Sequence, residues 1–211
     1  MNIDKIKVNT QSSIKLILDK IIYFDPYKIN EELHDADIIF ITHDHYDHMD
    51  IDSINNIKND NTLVVAPLSM KEKIDQISFK DYIYLNPNDN INLLSLNIKT
   101  IPSYNTNKSF HPRENDWLGY ILTYNNITYY IAGDTDITPE ARNVKCDIAF
   151  VPIGGTYTMD YNEASELIKT INPKVVIPTH YGSIVGNKTD GKNFKNNLLD
   201  TGIEVIEKLQ F

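Results

Sequence analysis

The sequence predicts an α/β fold, and three observations carry that expectation. Short apolar, β-branched runs such as Ile38-Ile39-Phe40-Ile41 and Val175-Val176-Ile177-Pro178 recur along the chain with the character of buried strands. Segments with helical spacing of apolar residues alternate with them. Strand after strand then ends in His or Asp: Asp25, the stretch His43 to His48, Asp134 and His180. Loops at one edge of a sheet can bring such distant residues together on a rigid scaffold.

Composition bounds the reading. The 211 residues are read as one domain, 1–211, long enough to bury a sizeable core. Hydrophobic content of 41% and charged content of 23% are those of an ordinary globular protein, with no low-complexity tract and no visible repeat. Residues Met1 to Lys7 alternate apolar and charged positions and so lack the apolar stretch of a secretory signal, and no run is long enough to span a membrane. The single cysteine, Cys146, cannot form an internal disulfide and reads as a small buried residue beginning a strand. A cytoplasmic location is expected. The formal charge of −9 argues against nonspecific nucleic-acid binding, which needs clustered Lys and Arg. A homo-oligomer is compatible with the sequence, which does not specify one.

In order, Ile3 to Val8, Ser13 to Leu18 and Lys20 to Phe24 read as strands, the last stopped by Asp25-Pro26. Ile38 to Ile41 is the next strand and Asp50 to about Lys58 a helix. Thr62 to Ala66 is β-branched and apolar, and Ser69 to Ile77 has helical spacing. Asp81 to Leu85 and Ile91 to Ile101 return to strand character. Pro102 to Asp116 is polar and aperiodic, the longest loop expected, and loops of that length tend to be functional. Trp117 to Thr123 and Ile127 to Ala132 flank Asn125-Asn126, a hairpin signal because asparagine tolerates the left-handed conformation. Cys146 to Pro152 is a buried strand before the Gly154-Gly155 turn. Asp160 and Glu163 resemble a capping box for a helix to about Ile171, which Pro173 ends. Val175 to Pro178 is a strand carrying His180 just beyond it; Lys192 to Asp200 reads as a helix, Gly202 as its cap, and Ile203 to Ile206 as the last strand.

The chemistry concentrates in Thr42-His43-Asp44-His45-Tyr46-Asp47-His48, which holds three of the six histidines. A strand continuing into His-x-His would point both imidazoles the same way, and a following turn could swing Asp47 and His48 toward the same point. Converging imidazoles and carboxylates suit a Zn- or Mn-like cation. A polar surface loop is the plain alternative, but it gives no reason for three histidines. Asp25, just before this stretch, is either a turn residue or a support for the ligands.

Together with Asp25-Pro26, Gly133-Asp134-Thr135 and Pro178-Thr179-His180-Tyr181-Gly182 in that order, this stretch resembles the metallo-β-lactamase superfamily, in particular the compact hydrolases around L-ascorbate 6-phosphate lactonase. The resemblance covers nearly the whole chain. It implies a four-layer αββα sandwich of two mixed sheets flanked by helices, with a dinuclear site along one edge. It further implies that His43, His45 and His111 hold one divalent cation, Asp47, His48 and His180 a second, and that Asp134 bridges them. Zn2+ is expected ahead of Mn2+. The chain departs from the pattern at Thr10-Gln11-Ser12-Ser13, where many relatives carry Gly-His before Ser-Ser.

The function expected is hydrolysis of a small anionic ester, a lactone or a phosphodiester, by a hydroxide that the two metals activate, with Asp47 orienting it. Nuclease activity on RNA or DNA is the alternative reading, and a non-catalytic metal-binding protein the third. Backbone amides and hydroxyls of Gly154 to Thr158, with Thr156 and Thr158 as the side-chain contacts, could meet the anion, while Tyr104 and Tyr181 close the pocket. Otherwise those glycines serve a turn and the tyrosines pack.

Overall fold

The computed structural model describes residues 2–210; Met1 and Phe211, the outermost residues of the expected domain, lie outside the described residues. Two sheets are built on the same plan. The first runs β1 (Ile6–Val8), β2 (Ile14–Ile17), β3 (Ile21–Phe24), β4 (Ile38–Phe40), β5 (Leu63–Pro67) and β6 (Asp81–Leu85), each hydrogen-bonded to the next. Its first three strands are antiparallel, and β3 to β6 are parallel. The second comprises β7 (Asn90–Leu93), β8 (Leu96–Pro102), β9 (Leu118–Tyr124), β10 (Ile127–Ile131), β11 (Ile148–Pro152), β12 (Val175–Thr179) and β13 (Glu204–Val205). Again an antiparallel half, β7 to β10, gives way to a parallel half, β10 to β13. This duplication of topology left no repeat visible in the sequence, because pairing pattern and burial, not residue identity, define it.

The sheets pack face to face. Leu16, Ile22, Phe24, Ile38 and Phe40 of one meet Ile98, Tyr120, Leu122, Ile131 and Ile177 of the other in the central core. Phe24 stacks on Phe40 with centroids 4.8 Å apart, and Tyr120 meets Phe40 edge-on at 5.1 Å. Helices α1 (Ile51–Ile57) and α2 (Lys71–Ile74) belong to a second core with Ile39, Ile41 and Val64 on the outer face of the first sheet. Helices α3 (Pro139–Arg142), α4 (Tyr161–Ile171) and α5 (Asp190–Asn197) cover the other sheet through Ala141, Leu167, Ile168 and Phe194. The result is the αββα sandwich. No helix among the described residues is long and apolar enough to cross a membrane.

Local chemistry explains the boundaries. The Asp160–Glu163 capping box forms with both reciprocal bonds, and α4 ends at Asn172 in the left-handed conformation. Asn125 and Asn126 both take positive φ, 47° and 60°, which a two-residue hairpin with the right twist requires. Other expectations are corrected. Ile3–Lys5 is a 3-10 turn, so β1 starts only at Ile6. The run Ile91 to Ile101 is two strands, broken where Leu94 turns with φ of 52°. The helix expected over Ser69 to Ile77 is a 3-10 turn at Leu68–Met70 followed by the short α2. Cys146 precedes β11 without joining it and is half-buried. The helix near the C-terminus runs Asp190–Asn197, then a 3-10 turn Leu199–Thr201 that Gly202 closes with φ of 76°.

Gly154, just past β11, packs directly on the backbone of His180. A Cβ there would overlap the His180 carbonyl oxygen and lie 2.7 Å from Val185 Cγ2. Gly154→Ala should therefore destabilise the protein by about 1–3 kcal/mol, the usual cost of overpacking a site that cannot yield. A denaturant midpoint equal to that of the parent protein would show that the β11 and β12 loops can separate freely.

Candidate metal centre

The parallel strands deliver the site, since ligands in open α/β sheets gather beyond the carboxyl ends of strands. Asp25 follows β3, residues 41–50 follow β4, Asp134 follows β10 and His180 follows β12. The expected reason for His43 and His45 sharing a direction is corrected here. Strand β4 ends at Phe40, so both lie in a loop, and it is the loop's path that brings His43 Nε2 to 3.1 Å from His45 Nδ1. That loop is tied across to the second sheet: Tyr120 Oη donates to the Ile41 carbonyl at 2.7 Å, and the Leu118 amide to the Thr42 carbonyl at 3.1 Å.

Seven ligand-type side chains converge. Donor atoms of His43, His45 and His111 lie within 4.8 Å of one another, as do those of Asp47, His48 and His180. Asp134 stands between the groups, its Oδ2 3.4 Å from His111 Nε2 and 3.1 Å from His180 Nε2, its Oδ1 3.4 Å from His48 Nε2. Asp47 Oδ2 is 3.3 Å from His180 Nε2. Two of these residues sit in turns that non-glycine backbone seldom adopts or adopts only beside glycine: His180 has φ of 55°, and Gly133, φ of 65°, turns the chain into Asp134.

Three side chains around the ligands fix which nitrogen faces the centre. Asp25 is wholly buried and accepts from the Thr42 amide at 2.7 Å, the Thr42 hydroxyl at 2.7 Å and His48 Nδ1 at 2.8 Å. With its proton on Asp25, Thr42 Oγ1 accepts from His43 Nδ1 at 2.9 Å. One carboxylate thus holds two imidazoles with Nδ1 protonated and Nε2 free to ligate. Asn105 does the same for His111, its Oδ1 accepting from both His111 N and Nδ1 at 3.0 and 3.1 Å.

The donor set fits a cation. His48 Nε2, His111 Nε2, both His180 nitrogens and Asp134 Oδ1 are buried without a hydrogen bond, a condition that costs about 1–3 kcal/mol per group unless something else satisfies them. The electrostatics point the same way. Burial holds the His43 and His45 imidazoles below the usual histidine range, neutral and able to donate a lone pair. Burial pushes Asp47 upward, but the His180 and His48 imidazoles outweigh it and hold the carboxyl at about 2. Asp134, likewise against burial, is held well below the carboxylate range by His180 and His48. Burial opposes charge on His48 and His180, yet Asp134 raises both, His180 to about 9. The two carboxylates draw positive charge into the pocket, and a divalent cation supplies it in place of protons.

A cavity of about 210 Å³ opens over the cluster. Of the ligand-type residues His45, Asp47, His111, Asp134 and His180 reach it, and the remaining wall is Tyr46, Phe110, Tyr157 and Ile184. The four expected substrate contacts do not line it. Tyr181 is buried under α5, packed among Phe194 and Leu198. Tyr104 donates to Glu140 Oε2 at 3.0 Å under the Arg113 guanidinium. Thr156 is exposed, and buried Thr158 donates to the Met159 carbonyl at 3.3 Å. Three amides of that turn are spent internally, Gly155 N on Met159 O and both Tyr157 N and Thr158 N on Gly155 O.

Sequence reading missed three contributors. Trp117, the only tryptophan, lies 4.9, 5.0 and 5.5 Å by ring centroid from His43, His45 and His111 and walls the first group. Gln11 is wholly buried, donates from its side-chain amide to Asp47 Oδ2 at 3.3 Å and accepts from the His180 amide through its backbone carbonyl at 3.0 Å. Asn105 joins His111 to Tyr157, donating to the Tyr157 carbonyl at 2.9 Å. The departure at Gln11 was the one sequence signal available.

A family profile described as "Beta-lactamase superfamily domain" matches residues 12–180. The chain belongs to that superfamily. It is 30% identical over 218 residues to a UPF0173 metal-dependent hydrolase of Thermoplasma acidophilum, spanning 96% of this chain and 94% of the relative. A UPF0173 metal-dependent hydrolase of Nanoarchaeum equitans is 29% identical over 211 residues, spanning 96% and 95%. A solved structure from Parabacteroides distasonis superposes with a TM-score of 0.83 at 32% identity, over 97% of this chain and 93% of that one. Igni18, a metallo hydrolase of Ignicoccus hospitalis, shares the fold with a TM-score of 0.80 at 24% identity, over 96% and 93%. The chain is accordingly a metal-dependent hydrolase of the superfamily, and the cavity lies over its candidate His and Asp groups.

Asp25→Asn keeps the size of the side chain but turns an NH2 toward a neighbour that also donates. Metal affinity, measured by chelator competition, should fall about 10- to 100-fold with the circular dichroism spectrum intact, the usual loss when a group orienting a ligand is removed. Unchanged affinity would reduce Asp25 to a turn residue.

Proposed function

We propose that the chain binds two divalent cations, one at His43, His45 and His111 and one at Asp47, His48 and His180, with Asp134 shared, and hydrolyses a small carboxylic ester of the lactone type. The observation that carries this reading is the pair of three-residue donor groups flanking one carboxylate at the floor of a small cavity. Five imidazoles and two carboxylates favour Zn2+, with Mn2+ the second candidate. When bound, the cations would supply Lewis acidity, making a water acidic enough to attack near neutral pH and drawing electrons from the scissile carbonyl.

The chain's own groups do the rest. Asp47, held at about 2, is ionised at cellular pH, and Gln11 keeps its Oδ2 directed toward His180, so it can accept a proton or fix a water by hydrogen bond. Tyr46, Phe110 and Tyr157 limit the solvent over the reacting atoms. Among the described residues no Lys or Arg lines the cavity, and the nearby Lys108 and Arg113 are paired with Asp136 at 2.6 Å and Glu140 at 2.8 Å. That lining favours a carboxylic ester over a phosphodiester, and the cavity's size and the chain's charge of −9 disfavour a polynucleotide.

Elemental analysis at saturation should give two ions per chain, and Asp134→Ala should depress both; one ion at most in the parent protein would count heavily against the shared carboxylate. Asp47→Asn should keep the first ion and lose about 100-fold in turnover of a lactone, the scale of a lost proton acceptor. Undiminished turnover would remove Asp47 from the chemistry.

A further inference from the structure

We propose that the active-site cavity selects its substrate by an apolar substituent, an alkyl or aryl group seated among Tyr46, Phe110, Tyr157 and Ile184, and not by a negative charge. The inference rests on the reading of the site as an ester hydrolase and names which esters.

The wall of the cavity divides by chemistry. One side is the His and Asp cluster. The other is made by four side chains with large apolar surface, drawn from four separate loops that meet at this mouth. Tyr46 lies between the ligands His45 and Asp47 and is 64% exposed; Phe110 precedes the ligand His111 and is 46% exposed. These are among the few large hydrophobic side chains that the protein leaves open, and both stand beside metal ligands. Scattered exposed apolar residues are ordinary, but a cluster at a concave site is how small-molecule pockets are lined.

The rings are also held in place. Tyr46 meets Tyr27 edge-on at 6.0 Å, and Phe110 meets Tyr157 edge-on at 4.7 Å. Asn105 bonds the Tyr157 carbonyl on one side and His111 on the other, so the second aromatic pair is fixed relative to the ligand cluster. A substituent lying on these rings would keep a constant distance from the reacting carbonyl, which is the positioning that hydrolysis needs. The opposite kind of selection has no group to perform it. No Lys or Arg lines the cavity among the described residues, and the Gly155, Tyr157 and Thr158 amides are spent within their own turn.

Product carboxylates of equal reach separate the alternatives without requiring turnover. Calorimetric titration of the metal-loaded protein should show hexanoate binding at least tenfold tighter than acetate and tighter than adipate, which has the same length but ends in a charge. The double variant Tyr46→Ala/Phe110→Ala should bring hexanoate to within about threefold of acetate, with metal content checked by elemental analysis. Adipate matching or exceeding hexanoate, acetate matching hexanoate, or full selectivity surviving in the double variant would each overturn the proposal. Turnover of γ-butyrolactone and γ-decalactone is measured alongside. Hexanoate selectivity with no hydrolysis of either lactone would sink the ester-hydrolase reading and keep the apolar seat; equal hydrolysis of both without hexanoate selectivity would do the reverse.

Discussion

The Asp25 carboxylate is the interaction on which the site depends. A buried carboxylate is costly unless its oxygens are satisfied, and this one is, by the Thr42 amide, the Thr42 hydroxyl and His48 Nδ1. The same bonds tie the end of β3 to the end of β4 and so anchor the start of the ligand loop. They also determine protonation. Through Thr42, Asp25 sets the tautomer of His43, and directly that of His48, one residue from each proposed donor group. Loss of this carboxylate would free two imidazoles to flip or change tautomer, and neither group would then be prepared for a cation.

Placement of the other candidate ligands is a matter of two sheets held in register. His43, His45, Asp47 and His48 come from the first sheet's loops, and His111, Asp134 and His180 from the second's. Their convergence therefore needs the central core to hold the sheets at one separation. Phe24, Phe40 and Tyr120 do so by ring contact, and the Tyr120 hydroxyl reaches across to the Ile41 carbonyl beside the ligand loop. Core packing and site geometry are here one structure: interiors are close-packed, so a change in the core propagates as a displacement.

The charge pattern explains why the protein tolerates so polar a centre. Neutral His43 and His45 sit against a region where Asp47 and Asp134 stay ionised and His48 and His180 are drawn toward protonation. Buried groups pushed so far in opposite directions mark functional sites more often than structural ones. The aromatic wall above gives the same cavity a second, chemically unlike side.

By itself the sequence determined the α/β class and the ligand types, because strand runs, the Asp160–Glu163 cap and the Asn125-Asn126 turn act within a few residues and their physics is local. The dense His43 to His48 stretch likewise announced a metal site without any fold. Tertiary structure decided everything that depends on distance between separated residues. It placed Tyr181 in the core and Tyr104 on Glu140, spent the Gly155, Tyr157 and Thr158 amides inside their own turn, and moved His43 and His45 off the strand into a loop. It also brought Gln11 to Asp47, Asn105 to His111 and Trp117 to three histidines. Gln11–Asp47 and Trp117–His43 join positions tens of residues apart, Asn105–His111 lies within one irregular loop, and no periodicity or propensity encodes any of them; the packed structure fixes which side chains meet.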